Sequence, residues 1–104
     1  MKTIEFKSIC MFIATFVLFS VSGFSSPVDS MKMANDLYTK KQYENALKIY
    51  NSLDNAGYVS DQLYYNKANA LYKTGDFVHA ILYYERALVL SPNDEDIKFN
   101  LDVA

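Results

Sequence analysis

Apolar residues follow two different patterns along the chain. Residues 9–19 are almost wholly apolar, whereas beyond residue 26 the apolar residues recur every three or four positions, as on one face of an α-helix. Turn signals divide this second pattern into five short stretches, and the clearest of these signals are Gly57, Gly75 and the pair Ser91-Pro92. The pattern therefore predicts an all-α fold of five short helices, preceded by an apolar signal or anchor helix.

Residues 1–26 have the order of a secretory signal peptide. Two lysines precede the apolar run, and small polar residues follow it, where cleavage after Gly23 or Ser25 fits the pattern. A membrane-spanning helix needs about 20 apolar residues, and residues 8–24 span 17 positions, so a retained membrane anchor is the alternative. Under either interpretation we expect the rest of the chain to be exported to the periplasm or cell envelope, with inner-membrane attachment if the leader is retained.

The rest of the chain repeats itself at one fixed offset, the separation of Ala46 from Ala80. The repeats align at this offset without a gap, and the identities lie on the apolar faces of the predicted helices. Six pairs are identical: Ala34 and Ala68, Asn35 and Asn69, Leu37 and Leu71, Tyr38 and Tyr72, Ala46 and Ala80, Tyr50 and Tyr84. The sequence is therefore divided into a first two-helix repeat at residues 27–60, a second at 61–94, and a terminal helix or start of a third repeat at 95–104.

Residues at the predicted helix ends are of types that favour the start or the end of a helix. Ser26 can accept a backbone hydrogen bond at a helix start, and Gly75 can adopt the left-handed conformation that ends a helix. Pro92 stops the fourth helix because it lacks a backbone N–H and disfavours a helical residue before it. We expect the fifth helix to begin at Asn93 and to run over residues 94–104.

A set of small and large apolar residues is predicted to pack the helices together. Alanines allow close helix crossings, and tyrosines fill the space beside them, with the hydroxyl groups of Tyr50 and Tyr84 expected to remain in water. The residues assigned to repeat packing are Ala34, Leu37, Ala46, Tyr50, Tyr64, Ala68, Leu71, Gly75, Ala80, Tyr84, Ala87 and Pro92.

Residues 61–94 resemble a tetratricopeptide repeat. They carry that family's aromatic, small and large residues, its Gly-Asp turn, its two alanines and its proline: Tyr64, Ala68, Leu71, Gly75-Asp76, Ala80, Tyr84, Ala87 and Pro92. Residues 27–60 resemble a degenerate copy, in which Lys41 replaces the turn glycine, Leu53 the second alanine and Tyr58 the proline. The resemblance implies an α-solenoid and a non-catalytic module that binds another protein.

A leader followed by a degenerate repeat and a fuller one also resembles the BatE proteins of the aerotolerance (Bat) operon family. The resemblance implies an envelope protein with tetratricopeptide repeats. Members of that family are usually longer and have further membrane segments, so this chain would correspond to a short form or to an N-terminal piece.

The family resemblance implies a concave face, lined by the first helix of each repeat, that holds a peptide or a partner helix. By the repeat match, the candidate contact residues are Met31, Asn35, Tyr38, Thr39, Tyr65, Asn69, Tyr72 and Lys73. We expect the partner to be another envelope protein or peptide. The alternative is a structural module that assembles end to end as a homo-oligomer, since about three repeats are usually needed for stability.

Composition argues against other classes of function. Ten basic and twelve acidic residues give a net charge of −2, which disfavours a nucleic-acid binder that works by bulk positive charge. One cysteine and one histidine exclude a disulfide framework and a zinc cluster. His79 has no evident nucleophile partner, and the three glycines form no phosphate-binding loop. We therefore expect no catalysis, no metal and no cofactor.

Overall fold

The computed structural model describes residues 25–104, so the predicted leader lies almost wholly outside the described residues. Within this range the chain forms five α-helices and no strand: α1 Pro27–Thr39, α2 Tyr43–Asn55, α3 Asp61–Lys73, α4 Phe77–Leu90 and α5 Glu95–Val103. The predicted all-α architecture of helix-turn-helix units is confirmed for this part of the chain. None of these five helices is both long enough and apolar enough to cross a membrane.

Side-chain caps fix where four of the helices begin, and the cap of α4 is Asp76, which accepts the His79 backbone N–H at 3.2 Å. The backbone N–H of Asp29 donates to Ser26 Oγ at 3.1 Å, and that of Leu63 donates to Ser60 Oγ at 2.9 Å. The cap of α5 is Asp94, not the expected Asn93, because Asp94 Oδ1 accepts the backbone N–H groups of residues 96 and 97. A carboxylate satisfies two free N–H groups here and also matches the positive end of the helix dipole.

The turns within the two hairpins have the same backbone geometry although their residues differ. Gly75 has a φ of +89°, and Lys41, at the equivalent position of the first repeat, has a φ of +63°. A non-glycine residue in the left-handed region costs roughly 1–2 kcal/mol. The turn of the first hairpin therefore keeps the left-handed backbone of the second, although this conformation is less favourable for Lys41 than for a glycine.

Alanines lie at the close contacts within each hairpin. Ala34 and Ala46 are fully buried where α1 packs on α2, and Ala68 and Ala80 are fully buried where α3 packs on α4. Helix α3 also packs on α2, and α5 packs on α4, so the helices form a continuous stack. The core divides into two clusters: one joins the first hairpin to Leu63 and Ala70 of α3, and the other joins the second hairpin to Ile97 of α5.

The remaining residues assigned to packing fall into four groups. Tyr50, Leu71, Tyr84 and Ala87 are buried, whereas Leu37 and Tyr64 are partly buried against the first cluster. Gly75 occupies the turn described above. Pro92 is exposed, contrary to its assignment, because the chain turns away at Ser91 and the Asp94 N–H closes that turn on the Ser91 carbonyl oxygen.

A buried ion pair joins the two hairpins. Lys67, on α3, is 7% exposed, and its Nζ lies 2.7 Å from Oδ2 of Asp54 on α2. The Tyr83 hydroxyl on α4 donates to the same oxygen at 2.5 Å, and Lys67 Nζ lies 3.9 Å from the centre of the Tyr83 ring. Three helices from both repeats therefore meet at one carboxylate.

The balance of environment and charge at Asp54 keeps this carboxylate ionised. Burial alone would raise the pKa of Asp54, but hydrogen bonds from Lys67 and Tyr83 and the positive charges of Lys67 and Arg86 lower the pKa below its ordinary value. A group whose pKa is lowered by folding stabilises the protein above its unfolded-state pKa, and this contribution is lost as the pH falls through the folded-state pKa.

We predict that Asp54→Asn lowers the free energy of unfolding by about 1–3 kcal/mol at neutral pH, because it removes hydrogen bonds to a charged acceptor. The difference between wild type and variant should shrink as the pH falls below about 4, the ordinary carboxyl pKa. Urea unfolding at a series of pH values measures the loss in the free energy of unfolding and its dependence on pH. A difference that is unchanged at acidic pH would contradict the assignment.

Candidate functional site

Two adjoining pockets form a groove along the face shared by α1, α3 and α5. One has a volume of about 340 Å³ and is lined by Tyr38, Tyr65, Asn69, Tyr72, Lys73, Tyr84, Asn100 and Val103. The other has a volume of about 260 Å³ and is lined by Asn35, Tyr38, Thr39, Tyr50, Gln62, Asn66 and Asn69. We call the first the tyrosine pocket, and the two together the groove. Seven of the eight contact residues expected from sequence lie here.

Met31 is the exception. It lies in a separate pocket of about 560 Å³ near the start of α1, together with Val28, Tyr58 and Leu63. Asn35 is one helical turn further along α1 and lines both this pocket and the groove. The structure therefore does not bring Met31 together with the groove tyrosines.

Asn69 is the hydrogen-bond centre of the second hairpin. The Tyr84 hydroxyl donates to Asn69 Oδ1 at 2.5 Å, and Asn100 Nδ2 on α5 donates to the same oxygen at 3.0 Å. An amide oxygen has two lone pairs, so both are engaged. One bond ties α4 to α3 within the repeat, and the other ties α5 to α3 from the following helix.

The same arrangement occurs one repeat earlier. Tyr50 donates to Asn35 Oδ1 at 2.6 Å, and Asn66 Nδ2 donates to it at 3.0 Å. We call these four hydrogen bonds the asparagine ladder. Asn35 and Asn69 were predicted to contact a partner, but their amide oxygens accept the hydrogen bonds that hold the repeats together.

The expectation that the hydroxyl groups of Tyr50 and Tyr84 remain in water is wrong. Tyr50 is 1% exposed and Tyr84 is 2% exposed, and both hydroxyl groups donate to the ladder. Burial, and secondarily the nearby Tyr38, raises the pKa of Tyr50 to about 12. Burial also raises the pKa of Tyr84 well above its usual value, so both groups remain protonated donors at physiological pH.

Ring contacts hold the groove tyrosines in place. Tyr38 packs edge-on against Tyr43 with ring centres 5.1 Å apart, and Tyr72 packs in the same way against Phe77 at 5.2 Å. These two pairs occupy equivalent positions of the two repeats. Tyr65 lies against Tyr84 at 6.1 Å. The aromatic walls are therefore positioned before any partner arrives, which lowers the entropy cost of binding.

Several residues that line the groove were not predicted from the sequence to lie there. Asn66 and Asn100 are separated by the repeat offset, and their recurrence was a usable signal for the ladder. Tyr84 was assigned only to packing, although its hydroxyl end reaches the groove. Gln62 and Val103 carry no such signal, because neither residue recurs at the same position of another helix.

The single histidine lies away from the groove. His79 is exposed, and its Nδ1 lies 2.9 Å from both carboxylate oxygens of Asp76. Hydrogen bonds from the His79 ring and backbone lower the pKa of Asp76, whose carboxylate also accepts the His79 backbone N–H near the start of α4. Across residues 25–104, no group of three or more His, Cys, Asp or Glu side chains is arranged to hold a metal ion.

We predict that Tyr84→Phe destabilises the protein by about 1 kcal/mol, because it removes one hydrogen bond to a part-buried amide oxygen while it keeps the ring. Tyr58→Phe is the matched control, since Tyr58 is 46% exposed and lies outside the ladder. Urea unfolding of both variants measures the difference. Equal stability of Tyr84→Phe and wild type would contradict the ladder.

Comparison with known proteins agrees with this geometry. Residues 62–94 match the family model of the tetratricopeptide repeat, a range that holds nearly all of α3, all of α4 and the turn that follows. No curated protein matches the chain significantly. The hairpin of α3 and α4 therefore has both the sequence and the fold of a tetratricopeptide repeat.

Proposed function

We propose that the protein is a non-catalytic interaction adaptor or scaffold whose groove binds a peptide or helix of a partner protein. Tetratricopeptide repeats generally mediate protein–protein interaction, and the match over residues 62–94 supports that role. The observation that carries the proposal is the set of braced tyrosines, Tyr38, Tyr65 and Tyr72, which line one groove. Tyrosine offers a large contact area at a low cost in side-chain entropy.

The alternative, end-to-end self-assembly, is disfavoured by the outer face of the first hairpin. On α3, the residues Leu63, Lys67 and Ala70 are buried against that hairpin. The corresponding positions on α1 are Asp29, Met33 and Asp36, and all three are exposed. A second copy that stacked there would have to bury two carboxylates, which is costly unless each carboxylate gains a partner.

The outer face of α5 has a similar feature. Ala68 lies at the close crossing between α3 and α4, whereas the corresponding residue of α5 is Asp102, which is exposed. A helix packed against α5 in the manner of α4 would meet a carboxylate at its closest approach. This supports the adaptor over the self-assembly module.

The proposed location is the cell envelope, in the periplasm or at the inner membrane. The support is the order of charge, apolar run and small residues in residues 1–26. The partner we propose is accordingly another envelope protein. A role like that of the BatE aerotolerance proteins, or a place at the N-terminus of a longer protein of that kind, is a narrower form of the proposal and rests on the sequence resemblance alone.

We predict that a displayed library of random peptides yields ligands whose binding depends on the groove. Replacing Tyr72 and Lys73 by Ala should weaken selected peptides at least about tenfold, as expected for residues at the centre of an interface. The control double variant, Tyr58→Ala with Lys48→Ala, changes the same residue types on exposed surface outside the groove. Circular dichroism establishes that both variants are folded. Selected peptides that bind both variants equally would contradict the groove as the binding site.

We predict that the natural protein is recovered from the envelope fraction of cells. Mass spectrometry of its N-terminal peptide should give Phe24 or Ser26 as the first residue if the leader is cleaved, or Met1 in the membrane fraction if the leader is an anchor. Recovery from the cytosol with an intact leader would overturn the proposed location.

A further inference from the structure

The tyrosine pocket has an uneven supply of hydrogen-bonding groups. Among the described residues, no aspartate or glutamate lines it. Asn69 Oδ1 accepts from both Tyr84 and Asn100, so both of its lone pairs are used. Of the two amide oxygens in the pocket, this leaves only that of Asn100 open to an incoming ligand.

Donors outnumber acceptors at the same surface. Tyr38, Tyr65, Tyr72 and Lys73 line the pocket. Each tyrosine hydroxyl can donate one hydrogen bond and can also accept, whereas the lysine ammonium group has three donors and no acceptor. The Tyr65 oxygen already accepts from Asn100 Nδ2 at 3.0 Å, so its own proton is available to a ligand. Tyrosine is protonated at physiological pH at its ordinary pKa of about 10, and burial, reinforced by Tyr43 and Tyr65, raises the pKa of Tyr38 further.

A ligand that matches this pocket is rich in acceptors and poor in donors. An ordinary extended peptide presents one N–H for every carbonyl group, whereas the Lys73 ammonium group and the tyrosine hydroxyl protons can pair only with the carbonyl groups. Proline retains the carbonyl group and lacks the N–H. Its ring also packs well on aromatic faces, and a proline-rich segment already holds the polyproline II conformation, so little entropy is lost on binding.

We propose that the tyrosine pocket binds a proline-rich segment of the partner in the polyproline II conformation. The inference rests on the proposed function and specifies the chemistry of the ligand. A cationic ligand is disfavoured because the described lining of the pocket contains Lys73 and no carboxylate. An acidic segment without proline would pair with Lys73 but would bring one N–H for each carbonyl group to a pocket in which donors outnumber acceptors; it serves as a competing probe.

The test measures peptide binding by the full chain, kept in solution with a mild non-ionic detergent. The probe is a fluorescein-labelled polyproline peptide of about ten residues, followed by fluorescence anisotropy. Peptides of the same length with alternating Gly and Ser, or alternating Glu and Ala, are the controls. We expect the polyproline peptide to bind at least about tenfold more tightly than either control, a gap of the size that two lost hydrogen bonds produce.

Tyr72→Phe separates the hydroxyl group from the ring. Loss of one donated hydrogen bond should weaken polyproline binding about fivefold, whereas Tyr58→Phe, outside the groove, should leave it unchanged. Both substitutions keep the aromatic ring, and circular dichroism establishes that both proteins are folded. Equal weakening by the two substitutions would overturn the assignment of the site.

The outcomes also distinguish this inference from the proposed function. Polyproline binding no tighter than that of the Gly-Ser peptide, or tighter binding of the Glu-Ala peptide, would overturn the inference. Groove-dependent peptides from the displayed library that lack proline would also overturn it, while they would leave the adaptor function intact. Enrichment of proline among those peptides would support both the adaptor function and the proline-rich ligand.

Discussion

Neither helical hairpin can bury its apolar face alone, and every other feature of the fold depends on stacking one hairpin upon the next. Such a unit contacts only its neighbours, so the interface between units carries much of the stability. Here the interface has two polar attachments on top of its apolar contacts. The asparagine ladder joins the units on the groove side, and the Asp54–Lys67 pair joins them where α2, α3 and α4 meet. Among the described residues, every buried side-chain nitrogen or oxygen has a hydrogen-bond partner.

The asparagine ladder stabilises the stack of hairpins and also fixes the shape of the groove. Tyr84 and Asn69 hold α4 on α3, and they also line the tyrosine pocket, which belongs to the proposed binding surface. The groove therefore cannot change its width without changing the hydrogen bonds that set the spacing of the repeats. We therefore expect a rigid groove that selects a ligand by its hydrogen-bonding and aromatic groups and not by a change of shape.

Local sequence was sufficient for the helices but not for the hydrogen bonds between them. The three-to-four spacing and the glycine and proline signals predicted five helices, because these features act within a few residues. Lys41 did not prevent the turn, since the packed hairpin outweighs the cost of its left-handed backbone. The ion pair of Asp54 with Lys67 was not predicted, because the two residues belong to different repeats and neither recurs at the repeat offset. For Asn35 and Asn69 the position was predicted and the role was not, since a polar residue on a concave face looks the same whether it binds a ligand or a neighbouring helix.

The ladder also has a direction. Each hydrogen bond between units runs from an asparagine of the later unit to an asparagine of the earlier one, from Asn66 to Asn35 and from Asn100 to Asn69. A duplicated copy of the second hairpin, inserted between it and α5, would bring one donor and one acceptor and would extend the chain of bonds by one step. A unit placed before α1 would meet Lys32, which is a donor of another kind, where the asparagine belongs, whereas one placed after α5 would meet Val103, which offers no side-chain acceptor. Growth by duplication inside the stack would therefore continue the ladder, whereas a unit placed after α5 would bring an asparagine donor that has no acceptor at Val103.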